Sequence, residues 1–154
     1  MTASGKANHD SFTLERTYHA PPVRVFAAWA DVIARQRWSP PNDRVEIRYI
    51  VSEFRVNGRD IARCGPKGDL RFGIETHYVD ITPPRRIVMT ETVDANGQRL
   101  SVAILTVFLT PEGQSTRLRF TAQITALDDS GLVSGARAGW SAALDNLAKE
   151  VNSG

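Results

Sequence analysis

The C-terminal part of the chain carries one long amphipathic pattern. Between Asp129 and Val151 apolar residues recur at steps of three and four, which predicts a single helix with one apolar stripe. Such a stripe has to be covered, and the large apolar surface left to cover it is a sheet face. We expect a functional space between this helix and the sheet. The stripe consists of Val133, Ala136, Trp140, Leu144, Leu147 and Val151.

Most of the chain before this helix alternates between apolar and polar residues, as strands do. A first strand is predicted over residues 12–19, and the proline pair after it suits the start of a helix. Two short helices are predicted, over 23–30 and 31–38. Six strands in hairpin succession follow, separated by Gly, Asn and Pro turns. They are predicted at 45–52, 60–64, 70–79, 86–93, 100–109 and 116–126.

Short turns between consecutive strands predict an antiparallel meander. The fold class is therefore α+β, with a curved antiparallel sheet of about seven strands and a long C-terminal helix. The 154 residues, 42% of them hydrophobic, are enough for one buried core. We predict a disordered leader over residues 1–11 and a single domain over 12–152.

Composition and charge narrow the expected partners. No apolar run is long enough to cross a membrane, and the N-terminus lacks the apolar core of a secretory signal. One cysteine, Cys64, cannot form an internal disulfide, so we expect a cytoplasmic protein. The 19 basic and 17 acidic residues are interleaved, and regularly spaced aromatics are missing among the arginines of 44–71, so nucleic acid is not expected. The sequence does not decide the oligomeric state, and a homodimer is compatible with it.

No motif for a metal or a cofactor is present. The three histidines lie far apart, and the chain has neither a His-x-x-x-His nor a Cys-x-x-Cys pair. No Gly-rich phosphate loop opens a helix, and the Gly-x-Ser-x-Gly motif does not occur. We therefore expect neither a metal nor a cofactor.

A candidate acid–base pair lies in the strand predicted over residues 70–79. Glu75 and His77 are two residues apart and share one face of that strand, and Glu91 on the next strand can join them. The same alternation is compatible with a solvated face for this pair, and slightly favours it. The apolar Val79 and Ile81 favour the opposite assignment, unless a β-bulge shifts the alternation.

The order of elements and several motifs resemble the START-like, Bet v 1-like (SRPBCC) superfamily of helix-grip proteins. Within it the chain is most similar to the branch related to the C-terminal domain of the activator of the heat-shock chaperone ATPase. The motifs cover nearly the whole chain after residue 11. They are Val25-Phe26 and Trp29 after an Ala-Pro-Pro entry, Arg37-Trp38-Ser39-Pro40, the run from Asp80 to Ile87, the Gly113–Leu118 hairpin, and Gly139-Trp140 with Leu144 and Leu147.

The resemblance implies a cavity between the sheet and the C-terminal helix that takes a small, largely hydrophobic molecule. Two alternatives stay open: a polyketide cyclase- or aromatase-like enzyme that uses Glu75 and His77 as its acid–base pair, and a chaperone-interacting regulator. The apolar stripe of the final helix favours binding over catalysis. The residues expected to line the cavity are Trp38, Tyr49, Glu75, His77, Met89, Glu91, Trp140 and Leu144.

The chain departs from the family pattern at two places. Asp60 stands where relatives have an apolar or aromatic residue, so it either brings a charge toward the cavity or marks a shifted register. The family often has a further aromatic near Glu91. Both departures suggest a cavity more polar than usual. In the final helix, Gly139 is expected to let the backbone approach the sheet, with Trp140 between core and cavity.

Overall fold

The structure, a computed structural model, describes residues 8–128 and 132–152. Within these ranges seven strands form one antiparallel sheet in the order β1-β7-β6-β5-β4-β3-β2. The predicted α+β helix-grip fold is confirmed. The helices are α1 (Pro22–Ala30), α2 (Val32–Trp38) and α3 (Leu132–Val151). The strands are β1 (Asn8–Tyr18), β2 (Val45–Ser52), β3 (Arg59–Pro66), β4 (Phe72–Thr82), β5 (Arg86–Ala95), β6 (Gln98–Glu112) and β7 (Ser115–Ala126).

The two short helices connect opposite edges of the sheet. β1 pairs with β7 at one edge, and β2 lies at the other, where it begins the run of hairpins that ends with β7. The chain between them therefore has to cross one face of the sheet. It does so as α1, which contacts β6 and β7, and α2, which contacts β2 and α3. The two short helices therefore cover the same face of the sheet as α3.

The second half of α3 is fixed to the β1 side of the sheet. Leu147 and Val151 are buried there, and among the strands α3 contacts mainly β1 and β7. The Tyr18 hydroxyl on β1 donates a hydrogen bond to the Leu144 carbonyl at 2.8 Å. Burial raises the pKa of Tyr18, so this hydroxyl stays protonated and able to donate. Because α3 is held near β1, space remains between its first half and the strands at the far edge.

The start of the first strand differs from the prediction. β1 begins at Asn8, so residues 8–11 belong to a strand paired with β7 and are not part of a disordered leader. These residues are polar and exposed, and they pair with β7 through backbone hydrogen bonds. Because any side chain is compatible with such pairing, the sequence shows no apolar alternation here that would predict a strand. Residues 1–7, and 129–131 at the start of the predicted final helix, lie outside the described residues.

Candidate functional site

A cavity of about 220 Å³ lies between the first half of α3 and strands β2 to β5. A second chamber of about 50 Å³ extends toward the core between α2, β3, β4 and β5. The two chambers adjoin, because five residues line both of them. These shared residues are Ser39, Tyr49, Thr76, Glu91 and Trp140.

The helix side of the cavity is built mostly from small residues. Ala136, Gly139, Trp140 and Ala143 follow each other at helical spacing and line the large chamber. A Cβ atom placed on Gly139 would meet no other atom within 4 Å. The predicted role of Gly139, to let the helix approach the sheet closely, is therefore wrong. At this position the missing side chain leaves space that belongs to the cavity.

An aromatic cluster holds the wall on which the two chambers meet. The Trp140 ring lies 4.3 Å from the Phe120 ring and is stacked on Trp29 at 6.3 Å. Trp29 in turn meets Trp38 edge to face at 4.8 Å. The Trp38 indole N–H donates to the Ala28 carbonyl at 2.9 Å. Because each ring is fixed by the next, Trp140 presents an immobilised apolar surface to the cavity.

A buried ion pair lies at the inner end of the small chamber. Arg35 on α2 places Nη1 2.5 Å from Asp60 Oδ2, and the two residues are only 6% and 2% exposed. Nη1 also donates to the Tyr78 hydroxyl at 3.0 Å, and this hydroxyl donates to the same carboxylate oxygen. Nη2 donates to Ser52 Oγ at 3.0 Å, and the guanidinium lies 4.7 Å from the centre of the Tyr49 ring. Of the two alternatives for Asp60, the structure shows the one that points inward.

The backbone around β2 and β3 places these groups. In β2 the register shifts between Tyr49 and Val51, so the extra residue Ile50 is exposed and Ser52 turns toward Arg35. Before β3, a Cβ on Gly58 would lie 2.2 Å from the Glu53 carbonyl oxygen, so only glycine fits there. The close approach anchors the start of β3, from which the ion pair's carboxylate projects.

Two polar atoms of the ion pair have no hydrogen-bond partner among the described residues. They are Asp60 Oδ1 and Arg35 Nε, and both residues line the small chamber. A buried polar atom without a partner is destabilising, since it has lost its hydrogen bonds to water. Asp60 Oδ1 is therefore an unused acceptor on a residue that lines the small chamber.

Glu91 on β5 brings a second carboxyl group into the cavity. It lines both chambers, and no described side chain donates a hydrogen bond to it or forms an ion pair with it. Removal from water raises the pKa of Glu91 to about 7, because the ionised form loses its hydration. At neutral pH this carboxyl group is therefore divided between its protonated and ionised forms.

Comparison with known proteins places the chain in a family. The family described as "Activator of Hsp90 ATPase homolog 1-like protein" matches residues 19–152. The chain belongs to this family. The branch of the superfamily predicted from the sequence motifs is thereby confirmed. No curated protein matches the chain.

Three solved structures from bacteria share the fold. The crystal structure of Mll3558 from Rhizobium loti is 34% identical, with a TM-score of 0.83 over 95% of this chain and 99% of that one. A protein from Rhizobium leguminosarum is 29% identical, with a TM-score of 0.80 over 94% and 95% of the two chains. CV1439 from Chromobacterium violaceum is 25% identical, with a TM-score of 0.82 over 94% and 98%.

In this member of the Hsp90 ATPase activator-like family, Glu75 and His77 do not lie in the cavity. His77 Nε2 lies 2.7 Å from Glu75 Oε2, but the side chains are 52% and 42% exposed on the outer face of the sheet. Thr76 and Tyr78, which alternate with them, are buried on the inner face. The expectation that this pair faces the cavity is wrong, and the cyclase-like alternative loses the observation that supported it.

A β-bulge explains why the apolar Val79 and Ile81 suggested that Glu75 and His77 face the core. The register of β4 shifts between Tyr78 and Asp80, which leaves Val79 exposed. Alternation resumes one residue later and turns Ile81 to the core. Burial of Ile81 is therefore compatible with an outward-facing pair earlier on the strand.

The other residues predicted to line the cavity divide into two groups. Leu144 is fully buried but lines neither chamber. At this point α3 already packs against β1, and the Leu144 carbonyl accepts a hydrogen bond from the Tyr18 hydroxyl. The prediction for Leu144 is corrected accordingly. The remaining five are on the cavity walls: Tyr49, Glu91 and Trp140 in both chambers, Trp38 and Met89 in the small one.

Arg35 is a site residue that was not predicted from the sequence. It lies three residues before Trp38, so the two share a face of α2, and this spacing was the available signal. Ile47, Ala62 and Ile74 also line the cavity without having been predicted. They follow from the alternation of their strands once the inner face is known.

The described residues offer no metal site and no membrane span. No three His, Cys, Asp or Glu residues within 8–128 and 132–152 are grouped so that they can hold a metal ion. None of the helices in these ranges is long and apolar enough to cross a bilayer. Burial raises the pKa of Cys64 to about 11, so its thiol remains protonated at neutral pH.

Proposed function

We propose that the protein binds a small, largely hydrophobic molecule in the cavity between the sheet and α3. The observation that carries the proposal is the composition of the wall. Apolar side chains from α3 and β2 to β4 surround a few polar groups at the junction of the chambers. A mostly apolar wall with a few convergent polar groups is typical of sites for small organic ligands.

The volume limits the size of the ligand. A cavity of about 150 Å³ in another protein is large enough for benzene. The large chamber, at about 220 Å³, is therefore suited to a molecule of one or two rings. We use 1-naphthalenemethanol as a probe, because it joins a bicyclic apolar body to one neutral polar group.

Filling the cavity from α3 is expected to abolish binding of this probe. In Gly139→Leu the new side chain grows into space that contains no atom within 4 Å of its Cβ position. Gly135→Leu is a matched control, because Gly135 is on the same helix, is exposed, and is equally free of neighbours. Replacing glycine by leucine stabilises the helical conformation by about 1 kcal/mol at either position, so the two variants are matched in this respect. We expect at least a tenfold loss of affinity in isothermal titration calorimetry for the first variant and less than a twofold change for the second.

Two outcomes contradict the proposal. Equal affinity of wild type and both variants would place the probe outside this cavity. Absence of binding in all three, together with native mass spectra of freshly purified protein that show no retained small molecule, would remove ligand binding as the function.

A further inference from the structure

We propose that the cavity selects ligands that carry a basic nitrogen, which the Glu91 carboxylate binds at the junction of the two chambers. This inference rests on the proposed function and names the chemical class of its ligand. The ligand would be an amine with an apolar ring body in the large chamber.

The charges around the cavity leave one carboxyl group without a counter-charge. Arg35 is the only cation among the described residues that line either chamber. It is already neutralised by Asp60, and both of its Nη atoms have acceptors. Glu91 has no such partner in the part of the chain that the structure describes. A cationic group on the ligand would supply the missing charge.

The walls beside Glu91 also favour a cation over an anion. The rings of Tyr49 and Trp140 line the same two chambers, and aromatic faces attract ammonium groups. An anionic ligand would instead bring a second negative charge close to Glu91, and the two like charges would repel each other. A neutral hydroxyl can donate a hydrogen bond to the ionised carboxylate but leaves it without a counter-charge.

Among the groups around the cavity, Glu91 is the one whose pKa lies near neutrality. α3 contributes only the apolar Trp140 and small residues to this region, and α2 contributes Arg35, which is ion-paired with Asp60 of β3. Burial keeps the other titratable neighbours protonated and uncharged by raising their pKa values: Tyr49 on β2, Cys64 on β3 and Tyr78 on β4. Affinity for an amine should therefore follow the ionisation of Glu91 alone.

Three probes with the same ring separate charge from hydrophobic fit: 1-naphthylmethylamine, 1-naphthalenemethanol and 1-naphthoic acid. Titration calorimetry at pH 6 and pH 8 is expected to show the amine as the tightest ligand at pH 8. Since Glu91 is about one-tenth ionised at pH 6 and nine-tenths at pH 8, the amine should bind about tenfold more tightly at the higher pH. The alcohol should show no such change.

Glu91→Gln removes the charge and keeps the shape. We expect the amine to lose at least tenfold in affinity at pH 8 and to lose its pH dependence, while the alcohol still binds and shows that the cavity is intact. Glu75→Gln is the matched control, because it makes the same chemical change on the outer face of the neighbouring strand. This control should bind all three probes as wild type does.

The possible failures are distinguishable. If the alcohol binds but the amine is no tighter at pH 8, or if naphthoic acid is the tightest, the selection for a basic nitrogen is overturned and the proposed function stands. If amine binding to Glu91→Gln keeps its pH dependence, the selection by Glu91 is likewise overturned and the proposed function stands. If none of the three probes binds wild type, the inference fails. If native mass spectra of freshly purified protein also show no retained small molecule, the proposed function fails with it.

Discussion

Asp60→Ala is expected to lower the free energy of unfolding by about 3–5 kcal/mol, because it leaves the Arg35 guanidinium buried without a counter-charge. The Tyr78 hydroxyl loses its acceptor in the same step. The loss is large for a domain of this size, whose total stability is on the order of 5–15 kcal/mol. Urea unfolding followed by circular dichroism measures it.

The double variant Arg35→Met with Asp60→Ala distinguishes a lost charge partner from lost packing. Removing both charges is expected to recover most of the stability, since apolar replacement of a buried ion pair is often neutral. Asp80→Ala provides the contrast, because Asp80 pairs with Arg86 at 2.7 Å on the surface, where solvent screens the pair. If Asp60→Ala and Asp80→Ala have equal, small effects, or if the double variant is no more stable than Asp60→Ala, the buried pair does not have the role assigned to it.

The fold could be predicted from the sequence because its signals are local. The spacing of apolar residues in α3, the alternation in the strands and the Gly, Asn and Pro turns each span a few residues. The face of β4 was not settled by the same signals. One extra residue, Val79, reverses which later positions point inward, and the sequence alone does not distinguish such a bulge from an inward-facing pair.

The ion pair could not be predicted because it depends on distant parts of the chain. Arg35 contacts Asp60, 25 residues later, and Tyr78, 43 residues later. An arginine on a short amphipathic helix is normally exposed, and only the assembled sheet provides a buried carboxylate opposite it. In contrast, the inward direction of Glu91 follows from its place in β5, where it lies on the same face as the buried Ile87 and Met89.

Glu91→Gln is expected to stabilise the ligand-free protein above pH 7 by about 3 kcal/mol. The pKa of this carboxyl group is about 7 in the folded state, against an ordinary value of 4.5. Below pH 4.5 both states hold the proton and the substitution has little effect. As the pH rises from 4.5 to 7, the unfolded chain releases its proton first, so the wild type loses stability by roughly 1.4 kcal/mol per pH unit. Above pH 7 the loss is complete and the difference from the variant stays constant.

Unfolding free energies of both proteins at pH 4.5, 6 and 8 test this expectation. The difference between the two proteins isolates Glu91, since other groups titrate alike in both. Glu75→Gln, which alters an exposed carboxyl, should give no comparable trend. A difference that does not grow with pH would show that Glu91 is not desolvated. If it does grow, adding 1-naphthylmethylamine at pH 8 should stabilise wild type more than Glu91→Gln, because the amine compensates the charge that makes the empty cavity unstable.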